Sequence, residues 1–447
     1  MAIILCAIAQ IKADVAALLE ATTIERLCRE IGYGWRDRIL TPVVTVHGFL
    51  MQVLHGNTAC DHVPHLLGKS FTGEAYCQAR RRLPLALFER LLDAVIHSLA
   101  SCRDAAATWC GHRVWLLDGS SCSMPDTPEL QEAFGQPGAQ TRGCGFPVAH
   151  LLTLFHAGTG LLQKMVVAPL RTHDMADAWR MHPELRVGDV VLADRGFCSY
   201  AHLALLACQG LFGVFRLHQK VITSFCKGRL HIPPQKHAWC KGLRDLPRSS
   251  WVRWLGRFDQ CVEYFKPKKA PRWMTAEAYV TLPSSLLVRE LRFAITVPGF
   301  RPKEITLVTT LLDPIRYPAE ELAQLYFDRW RVEVNLRHLK QTLHLDVLRC
   351  KTVDGIRKEL CMIALAYNLV RLVMLTAAHR QDVPPDRVSF VDALRWLCHA
   401  RPREPLADLI VWPVRHRVEP RVRKRRPKEF PLMQRPRAEL RKSLLAG

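Results

Sequence analysis

Three acidic residues in this chain lie where carboxylates can do metal-assisted chemistry. Asp118 follows the apolar run 113–117 and Asp194 follows 190–193, so each is expected just past the end of a short strand. Neighbouring strand ends bring side chains together in the crevice where α/β sheets hold ligands. Gly119 and Gly196 beside them leave room for close approach of backbone or substrate. The third acid, Glu333, lies in 326–340 (YFDRWRVEVNLRHLK). At 100° per residue, Tyr326, Arg329, Glu333 and Lys340 fall at about 0°, 300°, 340° and 320°, a polar stripe beside the apolar one of Val332, Leu336, Leu339 and Leu343. Phosphoryl transfer with two divalent ions requires carboxylates that converge from separate elements. Each residue alone has a plainer account. A strand-end aspartate is commonly a turn or cap residue, and Glu333 can pair with Arg329 or Arg337 on an exposed face.

The elements that must position these residues are legible in outline. Residues 1–108 read as helical, with apolar residues at helical spacing over 13–27 and 85–99. Between them, Arg80-Arg81-Arg82 is either a solvated helix face or a phosphate-contacting cluster of a DNA-binding module. From Gly111 the texture turns to strands. Segments 148–156 and 161–168 flank Ala157-Gly158-Thr159-Gly160 as a hairpin, and 174–186 (helix), 190–193 (strand), 200–209 (helix) and 211–217 (strand) follow. The span 109–217 is thus an α/β unit. Residues 218–317, rich in Trp, Arg and Pro, read as a β-rich insertion with strands at 251–258 and 291–297. Helical periodicity returns over 319–343 and 354–377, within a second α/β part at 318–400, and 401–447 is a basic tail.

Composition narrows the partner. In 447 residues, 63 Lys and Arg face 41 Asp and Glu, a net +22, of which +9 falls in 415–447. A surplus of that size points to a polyanion, nucleic acid first and an acidic membrane surface second. The apolar start, 1–11, lacks a basic leader and a small-residue cleavage site. The apolar stretch 361–378 contains Asn368 and Arg371, which argues for a buried helix rather than a membrane span. The 16 cysteines are scattered, with no Cys-x-x-Cys pair, as suits free thiols in a reducing cytosol.

The residues resemble a known family. Tyr326-(2)-Arg329-(3)-Glu333-(6)-Lys340 is similar to the signature helix of DDE transposases of the insertion-sequence-4 family. Leu117-Asp118-Gly119-Ser120-Ser121 and Ala193-Asp194-Arg195-Gly196-Phe197 resemble that family's first and second aspartate segments, and the likeness runs from about Ser70 through Leu375. It implies a ribonuclease-H-like mixed sheet with flanking helices, interrupted by the β-rich insertion, plus an all-helical amino-terminal domain. The 333 − 194 = 139 residues between the last two acids agree with such an interruption. It also implies Mg2+ (two ions, with Mn2+ able to substitute) held by Asp118, Asp194 and Glu333. Tyr326, Arg329, Trp330 and Lys340 would contact DNA. The implied partners are double-stranded transposon ends with their inverted repeats, target DNA, and a second copy of the chain in a synaptic homodimer. The expected location is the cytoplasm, at the nucleoid.

Other leads are weaker. Gly68-Lys69-Ser70 imitates a phosphate-binding loop but has Val63 where its first glycine belongs, so no nucleotide cofactor is expected. His62, His65, His150 and His156 lack zinc spacing, Cys122 lacks a paired base, and His173-Asp174 is a candidate support for the acidic site.

Overall fold

The computed structural model describes residues 1–138, 140–170, 172, 174–218, 221, 223–228, 249–295, 303–400, 404–409 and 433–445. The chain opens in helices: α1 (Ala2–Ile11), α2 (Ala13–Leu18), α3 (Ala21–Glu30), α4 (Pro42–Leu54), α5 (Val63–Leu67), α6 (Gly73–Arg82), α7 (Leu85–Ser98) and α8 (Ala100–Asp104). Thr41 and Thr72 cap α4 and α6 by accepting from Val44 N and Ala75 N. The single helix expected over 13–27 is broken at Leu19–Glu20, where the Thr23 hydroxyl donates to Ala17 O across the break.

Strands β1 (Val114–Ser123), β2 (Val148–His156), β3 (Leu162–Pro169), β4 (Val190–Ala193), β5 (Phe212–Arg216), β6 (Ser249–Gly256), β7 (Asp259–Phe265), β8 (Ser285–Ile295) and β9 (Lys303–Thr309) form one mixed sheet, ordered β3-β2-β1-β4-β5-β9-β8-β7-β6. Only β1–β4 and β4–β5 pair in parallel. The interrupting segment does not stand apart, because β9 pairs with β5 (Val214↔Thr309) and carries β8, β7 and β6 outward as an extension of the sheet. Of the strand expected over 291–297, residues 296–297 lie outside the described residues, as do 219–220, 222 and 229–248 of the same segment.

Alternation along the strands divides the core between two faces. Val114, Leu116, Val190, Leu192 and Val214 join one apolar cluster with α9 (Pro128–Phe134) and the helices that follow the sheet. Trp115, Leu117, Val191, Ala193 and Phe215 pack on the other face with α10 (Asp174–Ala178), α11 (Tyr200–Cys208) and α12 (Ala276–Thr281). After the sheet come α13 (Ala319–Asp328), α14 (Trp330–Arg337), a π-helical turn at His338–Thr342, α15 (Val353–Arg380) and α16 (Phe390–His399).

Helix α15 is the element around which the first face is built, with α7 and α4 packed against it. Among the described residues it alone is long and apolar enough to cross a membrane, yet 83% of its most apolar stretch is buried. Its polar residues explain why it belongs inside. Asn368 donates to Leu162 O and accepts from Leu162 N, while Arg371 and Tyr367 bond the carbonyls of Thr159 and Gly160. The β2–β3 turn is thereby clamped. A Cβ at Gly160 (φ 68°) would collide with the Arg371 guanidinium.

Of the tail, 401–403, 410–432 and 446–447 lie outside the described residues. Its helix α17 (Arg437–Leu445) docks on the body, with Arg437 paired to Asp126 at 3.2 Å and seated on the Phe146 ring.

Candidate active site

The two aspartates meet because of strand register. Leu117 pairs with Ala193 at the last step of the parallel β1–β4 ladder, so Asp118 and Asp194 follow at the same height. Asp118 does not lie past the end of its strand, as the sequence suggested. β1 continues through Ser123 because β2 supplies hydrogen-bonding partners, including Asp118↔Thr153, whatever the polarity of the side chains. Beyond Ala193 the β4 chain turns away while β1 runs on, and a crevice opens between them.

Each aspartate is oriented by its own turn. Gly119 N donates to Asp118 Oδ1 at 2.9 Å and Gly196 N to Asp194 Oδ1 at 2.6 Å. The Asp194 turn is anchored from below. Phe197 is fully buried, and His202 Nδ1 bonds its carbonyl at 3.0 Å. The His202 ring lies nearly parallel to the Phe215 ring, with centroids 5.1 Å apart, and almost coplanar with the His182 ring, its Nε2 3.1 Å from His182 Nε2. If Nδ1 donates to Phe197, His202 Nε2 must accept, so the proton between the rings belongs to His182. His173 and the side chain of Asp174, offered above as supports, lie outside the described residues.

Glu333 arrives from α14, which is not part of one uniform helix. Arg329 N bonds Tyr326 O and Val332 N bonds Arg329 O, tightening the winding, whereas Leu343 N bonds His338 O in a wide turn. These departures wind in opposite senses, and Lys340 still lines the same cleft as Glu333. That cleft, about 590 Å³, also contains Asp118, Asp194, Arg329 and Arg337. Gln341 and Asp346 complete its wall; the sequence reading missed them and Arg337's place in it, since none belongs to the four-residue spacing. A larger cavity, about 1080 Å³ between α9 and α17, has no such grouping of carboxylates.

Arg329 bridges the acids, with Nη1 3.6 Å from Asp118 Oδ2 and Nη2 3.2 Å from Glu333 Oε1. Burial pushes the Asp118 carboxyl up to about 6, against the pull of Arg329 and the Gly119 N–H, with Asp194 and Glu333 adding repulsion. Burial alone would lower the Arg329 guanidinium, but Tyr326 and the surrounding acids hold it above its ordinary value.

The other expected site residues are divided. Tyr326 is buried (6% exposed) beneath Arg329 rather than in the cleft wall, and burial raises its phenol to about 12. Trp330 is 54% exposed and lines a separate cavity with His338, Arg371 and Phe390. Arg81 and Arg82 are exposed at the end of α6. Arg80 turns inward, donating to Gln52 Oε1 at 2.6 Å and Cys350 Sγ at 2.8 Å with its guanidinium 4.0 Å from the Phe49 ring.

The donor set suits a hard divalent cation: three carboxylates line one cleft, with Oδ1 of each aspartate held by a backbone N–H. Among the described residues, no three acidic, histidine or cysteine side chains are already closed to ligand distances. The Arg329 cation spans the acids instead.

The chain is similar to known transposases. Over 344 residues the chain is 25% identical to the transposase InsG for insertion sequence element IS4 of Escherichia coli (strain K12), covering 72% of this chain and 70% of that protein. A cryo-EM structure of a piggyBac transposase synaptic complex with hairpin DNA aligns loosely, with a TM-score of 0.46 and 11% identity over 86% of this chain and 78% of that one. The model of the transposase DDE domain matches residues 109–369, more than half of the chain and all three acids, and the chain belongs to that family.

Proposed function

We propose that this transposase cuts DNA at the inverted-repeat ends of a mobile element and joins the freed 3′ ends to target DNA. The observation that carries the reading is the meeting of Asp118, Asp194 and Glu333 with Arg329, Arg337 and Lys340 in one cleft. We read β3-β2-β1-β4-β5 as a ribonuclease-H-like core, 218–317 as its insertion, and residues 1–108 as a helical DNA-binding module.

In the cutting step, water attacks phosphorus and the bond to the 3′ oxygen breaks. In joining, that 3′-hydroxyl attacks a target phosphate and displaces another 3′ oxygen. Asp118, Asp194 and Glu333 would hold magnesium, two ions on this reading and replaceable by manganese, which would supply nucleophile activation and charge neutralisation at the phosphate. Arg329, released from the acids, grips a phosphate as a planar fork, and Lys340 adds a point charge beside it. Tyr326 lies under Arg329 and sets its plane. Trp330, with its exposed ring, is placed to stack on an unpaired base. Arg81, Arg82, Arg349, Lys351 and Arg357 are all exposed and extend the cationic surface away from the cleft for duplex contact. A synaptic homodimer, acting at the nucleoid, would hold two ends together.

The test supplies a pre-cut transposon end and a target plasmid with Mg2+. Covalent joining by the wild type, lost in Asp118→Asn with DNA binding retained, is the expected result. Cleavage of an uncut end without joining would instead indicate a nuclease, and DNA binding without either reaction a decayed transposase.

A further inference from the structure

We infer that Cys60 and Cys77 form a reversible disulfide under mild oxidation, a modification site that staples α6 to the turn preceding α5. Their sulfurs lie 3.4 Å apart. Cys60 opens the short 3₁₀ turn Cys60–His62 and Cys77 sits midway along α6.

The proximity is built in. Gln52, 1% exposed on α4, donates through Nε2 to Thr58 O at 2.6 Å, two residues before Cys60. Its Oε1 accepts from the Tyr76 hydroxyl at 3.1 Å, one residue before Cys77. Arg80, one turn after Cys77, donates to the same oxygen. A single buried amide therefore fixes both cysteine-bearing segments against α4. Closing from 3.4 Å to the roughly 2.05 Å of a disulfide asks for little more than an ångström of side-chain rotation.

Accessibility sets the order of events. Cys77 is exposed and Cys60 half-buried, and both line a surface cavity that Cys350 also borders, but Cys350 is buried with its sulfur taken by Arg80. Burial pushes the Cys60 thiol up to about 11. Cys77 is thus the nucleophile and Cys60 the resolving thiol. With hydrogen peroxide, the Cys77 thiolate attacks one peroxide oxygen and expels hydroxide, giving a sulfenic acid. Cys60 sulfur then displaces the hydroxyl as water, its own proton leaving with it. Two thiols are oxidised to one disulfide and the peroxide is reduced to two waters. A dithiol reductant reverses the change.

The closed ring would hold α5 and Lys69 and fix the start of the helix that ends in Arg80-Arg81-Arg82. The inference stands independently of the phosphoryl-transfer reading.

The experiment treats the folded full-length chain with a few equivalents of hydrogen peroxide, blocks remaining thiols with iodoacetamide and digests with trypsin without reductant. Cleavage after Lys69 separates the two cysteines into peptides 39–69 and 70–80. The expected result is these peptides joined, two fewer alkylatable thiols per chain, recovery with dithiothreitol, and no link in either Cys60→Ser or Cys77→Ser. Separate peptides at doses that oxidise Cys77 to sulfinic acid, or cross-links of either residue to a different cysteine, would overturn the inference.

Discussion

Asn57 and Glu359 stand 302 residues apart in the chain, and Asn57 Nδ2 donates to Glu359 Oε1 over 2.6 Å inside the protein. The same carboxylate, 1% exposed, accepts from the backbone N–H groups of Arg349 and Cys350. One side chain thus joins the end of α4 to α15 and shapes the strand of chain that leads out of the active-site cleft. Replacing it leaves three donors unanswered, two of them buried. Glu359→Ala should lose about 3 kcal/mol of stability, read as a lowered urea midpoint. A change under about 0.5 kcal/mol would mean that the contact is ornamental.

Asp118 has the opposite energetic character. Its carboxyl is raised by burial from 3.8 to about 6 in the folded chain, so the folded state holds that proton more tightly than the unfolded one. Stability is therefore lost as pH rises from about 4 through 6, and the full deficit persists above. Asp118→Asn should be inactive yet more stable than wild type by about 2 kcal/mol at pH 7.5, with the gain vanishing near pH 4. Thermal melts without added metal at the two pH values test this, and a variant less stable at pH 7.5 contradicts it.

Arg329 neutralises Asp118 and Glu333 in the chain alone, so a divalent cation must compete with it. Removing that cation should tighten metal binding while weakening the reaction that needs a phosphate clamp. Arg329→Ala is expected to bind Mn2+ several-fold to about tenfold more tightly without DNA, up to roughly 1.4 kcal/mol, and to lose strand joining. Calorimetric titration reads the first effect. Unchanged or weaker Mn2+ affinity would show that the guanidinium does not stand in the way.

The three adjacent arginines of α6 should separate by function. Arg80 is engaged with Gln52, Cys350 and Phe49, so Arg80→Ala should lower thermal stability through lost packing and hydrogen bonds. Arg81→Ala and Arg82→Ala should leave the melt within about 0.5 kcal/mol and weaken DNA binding, with a shallower salt dependence. Equal melts for all three variants would remove the distinction.

The contrast between Arg80 and its neighbours marks where the sequence stops being readable. Apolar runs before Asp118 and Asp194 marked two short strands, because burial of a short strand leaves a compositional trace, while the two carboxylates were singled out only by the family resemblance. Asn368 and Arg371 marked α15 as internal for the same reason: a lipid-facing helix would not carry them. Pairing partners leave no such trace. That β9 would attach to β5, that β2 would carry β1 past Asp118, or that Arg80 would turn toward Cys350, 270 residues away, depends on backbone and side-chain groups every sequence offers. The π turn at His338–Thr342 was equally silent, since one extra residue per turn changes no residue type.

The imidazole pair beneath Asp194 should make its turn sensitive to acid. Burial holds His202 down at about 4 and, with repulsion between the two rings, His182 at about 3, against an ordinary 6.5. A depressed folded value means that the stabilisation is complete above 6.5 and drains as pH falls toward 4, at roughly 1.4 kcal/mol per pH unit for each ring. Protonation also breaks the hydrogen-bond relay, because a doubly protonated His202 has no lone pair for His182. His202→Gln should therefore flatten the loss of stability between pH 6.5 and 4.5, and should lower strand joining while leaving DNA affinity intact, since the Phe197 carbonyl and the turn that aims Asp194 lose their support. Melting curves across that pH range decide the first point. A variant as acid-sensitive as the wild type would place the titrating groups elsewhere.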